Sequence, residues 1–383
     1  MKKVIYFVTR SYLPNTSGGS LIRVKEVELL RSFFDVIVVT PNYETNELIE
    51  YNGIIKIPFN LSYTRFFSIM ERAGILEDYM DFWVSKAIVY LSNKVTSNDL
   101  ILSTSGGELG CIKIGSILKQ KKSCKHIINF HDPIDYSLVN GLKIDNKFHV
   151  SREKCEYKYI SNADLIITSS SKNKESLISK YPSLKERVKN NYFGYIDKYL
   201  VNNAKKDGKI TIAYSGIFSP LQKPEILIEA CEGIDNIDLK FIGNFESRKE
   251  MHKYINKQNV EFIHMMPHRE FLKYMTENVD IAFVSLTSDY LGACVPSKIY
   301  EYINLELPIL GALPDGDARD IINLNVYGIA KAYDDLPGIH EAALQLIDKS
   351  NYIKVKTKIQ IDKDKWAMEN QITEVIEWIK NLK

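Results

Sequence analysis

The chain has 383 residues, 45% of them hydrophobic and 26% charged, with a formal net charge of +2. It is long enough for two buried cores, and it carries neither the basic excess nor the motifs expected of a nucleic-acid binder. No run approaches the roughly 18 apolar residues of a membrane span, and five scattered cysteines (Cys111, Cys124, Cys155, Cys231, Cys294) without a Cys-x-x-Cys pair argue for reduced thiols and against a zinc site.

Met1-Lys2-Lys3 leads directly into a strand pattern, Val4 to Val8, rather than into a secretory signal, and a cytoplasmic protein is expected. The loop that follows, Ser11 to Ser20, contains Gly18-Gly19 and opens a helical pattern with Val24, Val27, Leu29 and Leu30. Two glycines at the carboxyl end of a strand let a backbone approach a diphosphate closely. The loop is not Gly-x-Gly-x-x-Gly, which disfavours a dehydrogenase cofactor.

Further strands are predicted at Val36–Val39, Leu100–Leu102, His126–Phe130 and Leu165–Thr168. Between the first two, Leu61 to Trp83 interleaves Tyr63, Phe66, Phe67, Ile69, Met70, Tyr79 and Phe82 with Arg65 and Arg72. Core helices and a surface for a lipid acceptor or membrane are both open readings of that segment. His131-Asp132-Pro133 places a histidine at a strand's carboxyl end, exposed by the turn behind it, where ligands of open α/β sheets bind. His126 reads as a packing residue, while His149, His252, His264, His268 and His340 lack a comparable placement. Residues 1–200 hold 28 Lys+Arg against 21 Asp+Glu, and the remainder 22 against 27, so the first half is basic. A basic half suits an anionic acceptor or an anionic membrane surface, and equally a solvated face.

The polar stretch Asn202 to Lys209 reads as a linker. After it the alternation restarts with Ile210–Tyr214, Leu239–Ile242, Glu261–Ile263, Ile281–Val284 and Pro308–Leu310, which predicts a second parallel sheet. Gly216 follows the first of these strands and Gly243-Asn244 the second. The run Pro296-Ser297-Lys298-Ile299-Tyr300-Glu301-Tyr302 reads as a helix start. Its unpaired N–H groups suit a phosphate, and Glu301, a turn further on, suits a sugar diol. Phosphate with ribose means a nucleotide. Apolar residues at helical spacing from Trp366 to Ile379 predict a terminal helix.

These motifs resemble those of GT-B glycosyltransferases, particularly retaining family four (glycosyl transferases group 1). The resemblance rests on Gly18-Gly19, on His131, on Glu153-Lys154 with Ala163 to Ser171, on Asn190 to Asp197, and on Pro296 to Pro308. It implies an α/β fold of two Rossmann-like domains facing across a cleft: an acceptor-side domain over 1–201, a nucleotide-sugar domain over 202–362, and a terminal helix, 363–383, crossing back to the first. It implies donor-binding roles for Gly18, Gly19, Gly216, Lys223, Pro296, Ser297, Lys298 and Glu301, with Glu301 on the ribose, and a catalytic role for His131.

The implied activity is transfer of a hexose from a UDP- or GDP-sugar to a saccharide or lipid-linked acceptor. Retention, a role in surface polysaccharide biosynthesis, no cofactor, no metal, and peripheral contact of the first domain with the inner face of a membrane belong to the same expectation. Gly194-Tyr195 departs from the family's usual Asn-Gly pair, and three donor-site positions depart as well. Ala293 stands where a second glutamate is common, and Ile217 and Gln222 stand where an arginine and a lysine neutralise the donor diphosphate. A nucleotide-sugar epimerase of the same fold and a non-catalytic sugar-nucleotide binding protein are the alternatives.

Overall fold

The computed structural model describes residues 2–15, 17–134, 150–201 and 208–382. His149 and positions 202–207 of the polar stretch lie outside them. The chain divides into two compact units, Met1–Ile196 with Gln371–Lys383, and Asp197–Asn370.

The first unit is built on β1 (Val4–Val8), β2 (Asp35–Asn42), β3 (Ile49–Tyr51), β4 (Ile54–Pro58), β5 (Leu100–Gly106), β6 (Lys125–Asp132), β7 (Leu165–Thr168) and β8 (Val188–Asn190). Their spatial order is β3-β4-β2-β1-β5-β6-β7-β8. All neighbours pair in parallel except β3 with β4, an antiparallel edge hairpin. That hairpin was not foreseen, although Asn52 (φ 49°) and Gly53 (φ 72°) form the tight turn that an Asn-Gly pair favours.

Side chains alternate across β1. Tyr6 and Val8 meet Trp83, Ala87, Leu91, Ile114 and Leu118 on one face. Ile5 and Phe7 meet Val27 and Leu30 of α1 (Gly18–Arg31) on the other, together with Ile372, Val375, Ile376 and Ile379. Helices thus cover both faces, which is why the central strands read as continuous apolar runs. The terminal helix Met368–Lys380 is the source of the last four residues, and from Gln371 onward it belongs to this unit.

The second unit holds β9 (Ile210–Gly216), β10 (Ile237–Gly243), β11 (Val260–Ile263), β12 (Ile281–Ser285), β13 (Ile309–Ala312) and β14 (Gly328–Lys331). This sheet is wholly parallel, in the order β11-β10-β9-β12-β13-β14. Only β14 was not foreseen; four residues opening on glycine give little periodic signal. The fold is α/β throughout, with two Rossmann-like sheets.

His126 is fully buried, as a packing residue should be, with Nε2 3.1 Å from Ser103 Oγ. Burial, reinforced by the nearby Lys119 charge, pushes its pKa down to about 3. Gly115, on the helix Gly110–Lys122, makes room for this ring: a Cβ there would lie 2.1 Å from His126 Nε2 and 2.6 Å from Ser103 Oγ. The ring is fully buried, so it can yield only by displacing packed neighbours. Gly115→Ala should therefore lower stability by about 1–3 kcal/mol despite its gain in helix propensity, as chemical denaturation will show.

Candidate active site

The helix Ser297–Asn304 carries three of the residues singled out in the second unit, Ser297, Lys298 and Glu301. Pro296 occupies its N-cap position, and no side chain caps the end. Ile299 N donates to Pro296 O at 3.0 Å, which leaves the N–H groups of Ser297 and Lys298 to face an anion at this helix start. Buried anchors fix the helix to the sheet. Tyr302 OH lies 2.9 Å from Ser215 Oγ on β9, and Asn304 accepts from Tyr199 N at 3.0 Å while donating to Asp197 O at 2.9 Å. Tyr300 packs on Trp366, ring centroids 5.6 Å apart.

Glu301 lies one turn into that helix, its side chain 17% exposed. Oε2 accepts from Lys298 Nζ at 2.9 Å, and Oε1 lies 3.1 Å from His268 Nε2. Burial alone would raise the carboxyl pKa. The His268 hydrogen bond and the Lys298 charge outweigh it, leaving the pKa below the ordinary glutamate value. Glu301 is thus an ionised, acceptor-only group with lone pairs to spare, the state that receives two hydroxyl protons of a diol. Lys298 is oriented in turn by the Phe271 ring, with Nζ 4.2 Å from its centroid.

His268 corrects the sequence reading, which gave it no placement. It opens the helix His268–Asn278, and no spacing over 33 residues could have linked it to Glu301.

Gly216 and Gly243 end β9 and β10 with φ of 136° and 147°, conformations that L side chains rarely adopt. They also abut: a Cβ on Gly243 would lie 2.3 Å from Gly216 O. Lys223 follows in a turn, its own N–H bonded to Ser219 O at 3.0 Å and its φ at +35°. It is exposed, and among the described residues its ammonium has no hydrogen bond or ion pair. Nothing ties it to the Lys298–Glu301 pair. The departures noted above stand out here: Ile217 is 70% exposed, and Gln222 is occupied by Ser219 Oγ.

In the first unit, Gly18 and Gly19 form the first turn of α1 behind the N-cap Ser17, whose side chain accepts from Ser20 N. The space where a side chain of Gly18 would begin is open, whereas a Cβ on Gly19 would stand 3.4 Å from Arg23 Nη1. His131 lies at the carboxyl end of β6 and is buried rather than exposed by the turn behind it. Its ring contacts Phe193 at 4.4 Å between centroids, and Nε2 is 3.5 Å from Glu26 Oε2. Burial, with the Arg23 charge, lowers its pKa against the opposing pull of Glu26, so the imidazole is neutral at ordinary pH.

Around it stand charged residues that sequence reading missed: Arg23 and Glu26 of α1, and Glu108, paired to Arg10 at 3.1 Å. One signal was available. Glu26 falls four residues after Ile22 and four before Leu30, on the face that α1 buries.

Residues 196–358 match the family model described as Glycosyl transferases group 1. The chain carries a glycosyl transferases group 1 domain. Its fold is shared with HepE from Anabaena, solved in complex with UDP and glucose, at TM-score 0.71 with 14% identity over 100% of both chains. The lipopolysaccharide outer core galactosyltransferase WaaB in its apo form superposes at 0.67, with 12% identity over 98% of this chain and 99% of that one. An α,α-trehalose 6-phosphate synthase from Burkholderia multivorans gives 0.69, with 10% identity over 99% and 97%. At such identities the likeness is one of fold. No curated protein matches the sequence. The matched segment and the shared architecture give the chain the GT-B fold with a glycosyl transferases group 1 match in its second unit. The helix Ser297–Asn304, with Glu301, lies inside the matched domain, whereas Gly18, Gly19 and His131 lie outside it.

Proposed function

We propose that this glycosyltransferase moves a hexose from a UDP- or GDP-sugar to a saccharide or lipid-linked acceptor, with retention at the anomeric carbon, in surface polysaccharide assembly. The observation that carries the donor half is the uncapped start of the helix Ser297–Asn304 with the ionised Glu301 one turn inside it. In this reading Glu301 accepts from the ribose hydroxyls. The backbone N–H groups at Ser297 and Lys298, the glycine turn at Gly216, and the Lys223 and Lys298 ammonium groups serve the diphosphate, and Gly18-Gly19 of the first unit are assigned to donor binding as well. These groups balance the charge that grows on the leaving nucleoside diphosphate without a divalent cation. The departing phosphate takes the proton of the acceptor hydroxyl on the same face, so no carboxylate nucleophile is required. His131, in the first unit, is assigned to the transfer step.

The acceptor half has its own support. In the first unit, Tyr63, Phe66, Ile69 and Ile75 are exposed on and beside the helix α2 (Thr64–Arg72), with Arg65 among them. An apolar face next to a cation suits the surface of an anionic membrane that holds a lipid-linked acceptor. No helix among the described residues is long and apolar enough to cross a membrane.

A thermal-shift panel of UDP, GDP and their sugars tests the donor assignment. A true donor at 100 times its dissociation constant should stabilise the protein by about 2.7 kcal/mol and raise the melting temperature by a few degrees. A panel without any shift overturns the assignment. The missing cations at Ile217 and Gln222 favour one second reading, a sugar-nucleotide binding protein without turnover; release of nucleoside diphosphate from a bound donor in the presence of acceptor decides against it.

A further inference from the structure

Asn129 and His131 are two residues apart on β6, so their side chains leave the same face of the sheet. Over that face lies Glu26 of α1, only 2% exposed. Its Oε1 accepts a hydrogen bond from Asn129 Nδ2 at 2.7 Å. This tether leaves Oε2 3.5 Å from His131 Nε2, and neither of these two buried atoms has another partner. Ser169 Oγ donates to His131 O at 2.7 Å, which fixes the backbone beneath the ring, and Phe193 packs on the ring itself. A carboxylate this deeply buried with a single full hydrogen bond is costly, and an apolar residue of similar size would stabilise the α1 face better. The position therefore calls for a functional explanation.

We infer that Glu26, held by Asn129, is a positioning residue that sets the tautomer and orientation of His131. A carboxylate oxygen can only accept, so the proton of the neutral imidazole sits on Nε2 and the lone pair on Nδ1. Nδ1 is then the nitrogen left to meet a hydroxyl. The groups that act electrostatically on this ring are Glu26 and Arg23 from α1 and Glu108 from the loop after β5. The consequence for transfer rests on the proposed role of His131, whereas the pairing itself does not.

Nitrogen-15 NMR of the histidine side chains reads the tautomer directly. In Glu26→Gln the amide keeps one oxygen for Asn129 while removing the charge. The His131 signals should move away from the Nε2–H pattern, and transfer should slow by roughly 10²-fold at unchanged donor KM. Unchanged His131 signals in a folded Glu26→Gln protein overturn the inference. Altered signals with an unaltered transfer rate keep the pairing and overturn instead the assignment of His131 to the transfer step. If Glu26→Gln does not fold, Glu26→Leu removes the acceptor while filling the buried volume with apolar atoms. The same departure of the His131 signals from the Nε2–H pattern is expected there, and its absence overturns the inference.

Discussion

Replacing Glu301 with alanine should weaken nucleoside diphosphate binding by about 1.5–3 kcal/mol, roughly 10- to 150-fold, in isothermal titration calorimetry. Two ionised-acceptor hydrogen bonds to the ribose diol would be lost, and the cost extends beyond them. Lys298 and His268 both lose their carboxylate partner, and Lys298 is only half free, lying on the Phe271 ring. Glu301→Gln separates the two effects, because the amide still fills the volume and accepts one bond, and it should fall between wild type and alanine. The carboxyl pKa lies below its ordinary 4.5, so this contribution to binding should persist as pH falls to about 5 and fade only through the depressed value. Unchanged affinity in a folded Glu301→Ala protein would remove the residue from the donor site.

His131→Ala should divide rate from binding in the opposite sense. The residue belongs to the first unit, whereas the helix start, Lys298 and Glu301 belong to the second. Losing a group that acts only as the sugar moves should cut transfer by on the order of 10²-fold or more while nucleoside diphosphate affinity stays within a few-fold. Single-turnover transfer and calorimetry on the same preparation measure both quantities. Equal losses in the two would make His131 a binding or folding residue. The ring is neutral at ordinary pH because burial and the Arg23 charge lower its pKa. The transfer rate should therefore show no histidine-like break as pH is lowered through about 6.5.

The two sites differ in how readily each could be read. The start of the helix Ser297–Asn304 was legible because its parts are local: proline at the cap, serine at the first turn and glutamate four residues on lie within a single turn and a half. The partners that tune Glu301 were not. His268 precedes it by 33 residues and meets it through packing of one helix against another, for which a sequence carries no spacing rule. The same holds in the first unit. His131 was picked out by its place after a strand, yet the expectation of exposure failed, because the turn behind it does not decide what packs over it. Glu26, Phe193 and Arg23 do.

What the sequence determined by itself was the alternation of apolar strands and amphipathic helices, and with it two Rossmann-like sheets. Each strand's burial depends on its own residues and on a period of two or of 3.6, so the information is contained within short windows. The hairpin β3–β4 was encoded just as locally, in Asn52-Gly53, and was overlooked. The tertiary structure alone decided which polar side chains meet inside the units: Asn129 with Glu26 across 103 residues, Arg10 with Glu108, and Glu301 with His268. It also decided that Gly115 must stay small beneath His126. These are contacts between elements, set by sheet order and helix placement. Their energies come from desolvation and from partner geometry, neither of which exists until the chain has folded.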